Sequence, residues 1–136
     1  MDGVIPASNS VMAANLKKLG LLFDHQQYQD VAAQLLRNAF PHMARYGSSY
    51  SNWSSLLLNE VFGVNEVAIT GPDSESLRVE MEKVYVPNKI MLGGKKGSLP
   101  LLQGRFSNAS QIFVCRDKTC GLPADNIPDA LKQINI

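Results

Sequence analysis

The spacing of apolar residues changes at about Asn65, and that change limits the chain to helices first and a sheet afterwards. Upstream, Tyr28, Val31, Ala32, Leu35, Leu36, Ala39 and Phe40 recur at i, i+3, i+4 and i+7 without a gap, the pattern of one helix face. Pro41 removes a backbone donor and predicts a stop or kink. Residues 42–46 form an extension beyond the kink, and Gly47 ends it. Before this helix, Ser8 or Ser10 is the expected N-cap of a first helix running to about Asp24 through Val11, Ala14, Leu16, Leu19 and Leu22-Phe23. Gly20 weakens that helix slightly. After a polar connector, a third helix is expected from Ser51 or Asn52 to Val61, with Trp53, Leu56, Leu57, Glu60 and Val61 at helical spacing and Gly63 as its stop.

Downstream, Glu66-Val67-Ala68-Ile69-Thr70 is a short β-branched run closed by Gly71-Pro72, which reads as a buried strand. Asp73 or Ser74 caps a helix to about Val84 with Leu77, Met81 and Val84 facing inward, and Pro87-Asn88 turns the chain into a second strand over residues 89–92. Strand, helix and strand at this spacing make a βαβ unit. Residues 93–97 read as a flexible loop, 99–102 as a short helical turn, 111–115 as a third strand and 129–134 as a last helix. The expected class is α/β: N-terminal helices, then a small, mostly parallel sheet (βαβ plus a third strand) with flanking helices. The expected division is 1–64 and 65–136, together one compact unit.

With 136 residues, 45% of them apolar, the chain has material for a real core. Only 18% are charged, below the usual quarter or so. Such a deficit arises where part of the surface is covered by something else, although any monomer also shows much apolar surface. A formal charge of +1 argues against nucleic-acid binding. No run approaches the ~18 apolar residues of a membrane span. The first residues lack the basic and apolar regions of a secretory signal, so a cytoplasmic setting is the default expectation.

Cys115 and Cys120 are the first candidates for chemistry. One reading is a reversible thiol pair, with Arg116 and Lys118 favouring thiolate. The other is one cysteine buried in the core and one in a loop, both inert. Ser8, Asn9 and Ser10 form a polar cluster at a helix start, the composition of a cap. Such a cluster is also suited to hydrogen bonding a polar ligand. No metal or cofactor is expected: two cysteines this close lack a second ligand pair, and His25 and His42 have no partner at ligand spacing. Residues 93–98 lack the phosphate-loop pattern, and the turn at Thr70–Ser74 lacks the dinucleotide glycines. Glu75, Glu80 and Glu82 share a helix but offer no acid–base pair.

Two stretches resemble one family. Val114-Cys115-Arg116-Asp117-Lys118-Thr119-Cys120-Gly121-Leu122-Pro123 matches a signature of Val-Cys, four residues, Cys, two residues, Pro. Ile5-Pro6-Ala7-Ser8-Asn9-Ser10 matches an Ile-Pro-Ser-Gly-Asn-Ser pattern, with Ala7 in place of Ser and Ser8 in place of Gly. Residues 66–71 and 87–92 fit between them in order. These stretches resemble the long thioredoxin-domain-containing proteins of the YyaL and spermatogenesis-associated type. The resemblance implies an upstream thioredoxin-like domain and a helical (α/α)6 barrel, similar to six-hairpin glycosidases, whose last hairpins would be residues 1–64. It implies a C-terminal module that completes the barrel and contacts those upstream domains, with a homo-oligomer as a further arrangement. It implies in addition a parent acting on a carbohydrate-like small molecule, with Ser8, Asn9 and Ser10 lining the cleft, or thiol exchange between Cys115/Cys120 and the thioredoxin-like domain. Activity of the isolated chain is not expected.

Overall fold

The computed structural model describes residues 1–134; Asn135 and Ile136, the end of the expected α/β module, lie outside the described residues. The chain divides into a helical unit, Met1–Phe62, and a sheet-containing unit from Gly63 on.

The helical unit contains α1 (Ser8–Leu22), α2 (Gln26–Met43), a 3-10 turn (Gly47–Tyr50) and α3 (Ser51–Phe62). α1 stops because Asp24 adopts φ 51°, which lets its N–H donate to Leu21 O and the His25 N–H donate to Gly20 O. This is the left-handed helix ending that an Asp tolerates. α1 and α2 then meet through small residues: Ala13 and Gly20 on one helix, Ala32 and Ala39 on the other, are buried. A Cβ on Gly20 would lie 2.5 Å from Gln29 Cγ and 3.1 Å from its backbone nitrogen, so glycine here permits the close approach of α2. That seam selects the inward face of α1. The larger residues of its apolar pattern, Val11, Leu19 and Phe23, are exposed. Likewise only Ala32, Leu36 and Ala39 of the clear α2 stripe are buried, while Tyr28, Val31 and Phe40 are exposed. The core is completed by Met43, Tyr50, Trp53 and Leu56. α2 continues through Pro41, as the extension beyond it anticipates, but ends at Met43, short of residue 46. So near the helix end, proline removes a single hydrogen bond from a turn that already frays.

The second unit contains β1 (Asn65–Thr70), α4 (Ser74–Glu82), β2 (Lys89–Gly94), a 3-10 turn (Pro100–Leu102), β3 (Gln111–Arg116), β4 (Thr119–Cys120) and α5 (Ile127–Leu131). The strand order is β2-β1-β3-β4. The α/β plan of helices followed by βαβ and a further strand is the one observed. The sheet is mixed, however: β1–β2 is its one parallel pair among the described residues, and β1–β3 and β3–β4 are antiparallel. Parallel pairing needs a crossover, which α4 supplies between β1 and β2. Between β2 and β3 the chain makes only the short 3-10 turn, and β3 comes back antiparallel on the other edge of β1.

β1 is buried along all six residues because both sheet faces are covered. Val67 and Ile69 join Met81, Ile112, Val114, Ala124, Ile127 and Ala130 in one cluster. Ala68 and Cys115 join Leu101 and Leu102 in another, with Leu92, Phe106 and Phe113 packed against it. β2 extends through Gly93 and Gly94, residues expected in a loop. Gly93 pairs with Ile69 so closely that a Cβ would run into the Ile69 carbonyl. The last helix starts two residues earlier than expected, where Asn126 accepts from the Asp129 N–H at 2.9 Å.

Candidate functional site

The β3–β4 hairpin turns on Asp117 (φ 49°) and Lys118 (φ 65°). Two successive left-handed residues define a type I′ turn, whose twist suits a tight hairpin. The turn contains no glycine, so β4 carries no recognisable signal, and Cys120 lies in this strand rather than in a loop. The turn pairs Arg116 with Thr119 and therefore Cys115 with Cys120. Directly opposed residues approach closely in an antiparallel pair. The sulfurs are joined by a disulfide with a Cα–Cα separation of 3.9 Å. Cys115 is buried at 2% exposure, and Cys120 is half-buried.

Arg105 carries no motif that marks it. It lies in the loop before β3, and its guanidinium spans the disulfide. Nη1 donates to Cys115 Sγ at 3.0 Å and Nη2 donates to Cys120 Sγ at 2.9 Å. The guanidinium carbon sits 5.0 Å from the Phe113 ring centroid, within cation–π range. Thr70 Oγ1 donates to the Arg105 carbonyl at 2.7 Å and fixes the loop to the end of β1. Burial pushes the Arg105 guanidinium below its ordinary value, opposed by the Glu66 carboxylate. Glu66 pairs with Cys115 across the sheet.

The helical unit holds an open cleft of about 260 Å³ lined by Asn9, Asn38, His42, Tyr50 and Trp53, among others. Two amides and an imidazole beside aromatic walls offer hydrogen bonds and a flat apolar surface to a small polar molecule. Of the polar cluster at the start of α1, only Asn9 lines this cleft. Ser8 is exposed, and neither Ser8 nor Ser10 is the N-cap; Ala7 holds that position without a side-chain bond. Ser10 is buried because Asp2 captures it.

The Asp2 carboxylate accepts from Ser10 Oγ at 2.5 Å, from the Ala7 N–H at 3.0 Å and from the Asn52 N–H at 3.2 Å. It thereby ties the starts of α1 and α3 together. Burial disfavours the Asp2 charge, but the donors from Ser10, Ala7 and Asn52 outweigh it and hold the carboxyl below its ordinary value of 3.8. A carboxyl lowered by folding stabilises the folded state above its unfolded pKa and loses that contribution as pH falls through the folded one. Asp2→Ala should cost about 1–3 kcal/mol near neutral pH, since it strands buried donors. The gap from the parent chain should close as pH falls below 3.8. Thermal melts across that range check this, and a gap of constant size would count against it.

The remaining sequence candidates do not converge. His25 stacks on Tyr28 with centroids 4.1 Å apart. Asp73 is the N-cap of α4, but its carboxylate accepts from Ser110 Oγ rather than capping the helix. The crevice beside Ser74, Glu75, Gly93 and Gly94 holds only about 40 Å³, room for a water or two rather than a nucleotide. Among the described residues no three His, Cys, Asp or Glu side chains gather as a metal would need.

Three helices, a small mixed sheet and a hairpin disulfide under an arginine fork define an α/β module. No family model matches it, and no solved structure matches it. The chain is distantly similar to spermatogenesis-associated protein 20. It is 27% identical to the Homo sapiens protein over a 135-residue alignment that covers 90% of this chain. It is 25% identical to the Rattus norvegicus and Mus musculus proteins over the same length. The chain spans 17% of the length of each of these relatives, so it is related to a part of them.

Proposed function

We propose that this chain is a structural and interaction module of a larger thioredoxin-domain-containing protein, whose helices pack against the helical barrel of the same protein. One observation carries the reading: α1 carries exposed apolar residues as well as a buried seam. Ala13 and Gly20 turn toward α2, while Met12 and Leu19, seven residues apart, share a different face with Val11 toward its edge, and all three are exposed. A helix apolar beyond its buried seam belongs between two neighbours, as every helix of a closed helical ring does. Tyr28, Val31 and Phe40 on α2 and Leu58, Val61 and Phe62 on α3 are also exposed. The low share of charged residues, 18%, fits a chain part of whose surface is covered. The 17% share of the relatives' length supports a parent that supplies the neighbour.

Covering Val11, Met12 and Leu19 would contribute a few kcal/mol, given about 1.5–3 kcal/mol for burying each such side chain completely. The chain is therefore expected to bind the preceding helical region of the parent, expressed separately, or to self-associate when that region is absent. The double variant V11D/L19D should lose both associations, with its helix content unchanged because neither residue is in the core. Analytical ultracentrifugation and titration calorimetry measure this. A chain that stays monomeric and has no affinity for the upstream region overturns the proposal.

A further inference from the structure

We infer that Cys115, Cys120 and Arg105 form a reducible disulfide site for a dithiol, in which the Arg105 guanidinium receives the thiolates released on reduction. Three observations converge. First, the bond closes a very short segment, with a separation of 5 residues. Stabilisation through chain entropy grows with the logarithm of loop length, so a loop this short gains the least from cross-linking. Second, both guanidinium Nη atoms point at the sulfurs, one to each, at 3.0 and 2.9 Å. A disulfide sulfur is a weak acceptor, whereas a thiolate is a full anion and bonds strongly to a guanidinium. The fork therefore complements the reduced state more than the oxidised one. Third, access is asymmetric: Cys115 is buried and Cys120 is half-buried at the sheet edge.

These features order the chemistry. One thiolate of the dithiol attacks Cys120 Sγ, and a mixed disulfide forms. The Cys115–Cys120 bond breaks, and its electron pair leaves on Cys115 Sγ, beside Arg105 Nη1. The second thiolate of the dithiol attacks its own sulfur in the mixed disulfide and releases the Cys120 thiolate to Arg105 Nη2. Two electrons pass to the protein, and the dithiol becomes a disulfide. Stabilising the leaving and final thiolates raises the tendency of the site to be reduced. Glu66, cross-strand from Cys115, is the carboxylate that favours the charged form of Arg105. Asp117 and Lys118 stand on the exposed turn between the strands.

The test equilibrates the full chain with dithiothreitol buffers of graded redox ratio and counts free thiols by alkylation and mass spectrometry. R105Q should lower the equilibrium constant for reduction at least tenfold, about 30 mV. R105K, which keeps the charge but not the fork, should fall between the two. A second readout needs no variant: in the reduced parent chain, the rate of alkylation against pH should report a thiol below the free-cysteine value of about 8.5. An R105Q equilibrium equal to that of the parent overturns the inference. If R105Q does not fold, a reduced parent chain whose thiols titrate at or above the free value overturns it instead.

Discussion

Replacing Trp53 by alanine is expected to unfold the helical unit. Trp53 is the single tryptophan of the chain and is 5% exposed. Its neighbours in the core include Ala13 and Ala39, which fill little volume, so the indole supplies a large part of the buried area. Truncating a buried tryptophan costs about 3–5 kcal/mol in lost burial and residual cavity. A unit of this size buries a smaller fraction of its surface than a larger domain and has little stability to spare. Urea denaturation followed by helical circular dichroism should show the low-denaturant baseline already depleted in W53A. W53F, which retains an aromatic ring, should fall between W53A and the parent. A W53A curve displaced by less than about 1 kcal/mol would show that the core does not depend on this residue.

Gly93→Ala should be comparably damaging in the sheet unit. The added methyl has no space, because it points into the Ile69 carbonyl, and that carbonyl belongs to the strand with which β2 pairs. Relief requires the two backbones to separate, which breaks the register from Asn65↔Lys89 to Thr70↔Gly94. Overpacking against side chains costs about 1–3 kcal/mol; against a paired backbone the cost should reach or exceed the upper end. Gly47→Ala is the control, since nothing lies within 4 Å of a Cβ there. Thermal unfolding of both variants checks the contrast. Equal melting temperatures for G93A and G47A would mean that β2 can shift without cost.

Parts of the candidate sites were legible in the residues alone. Cysteines 115 and 120 stood out as a pair, and Asn9 is one of the residues at the cleft. Their partners were not legible. Arg105 meets the sulfurs from ten and fifteen residues away, and Asp2 reaches Asn52 across fifty. Nothing in local composition marks a residue that acts at such a separation.

The sequence by itself determined the order of the elements: three helices, a buried strand, and a βαβ crossover. Periodicity and turn residues are local properties, and they act before any tertiary contact forms. Only the tertiary structure decided which face of α1 turns inward, because a seam of Ala and Gly lets α2 approach more closely than Val11 or Leu19 would allow. It also decided the direction of β3 and the pairing of the two cysteines through a turn without glycine. An apolar pattern records that a face can be buried, but the neighbour that covers it comes from a distant part of the chain.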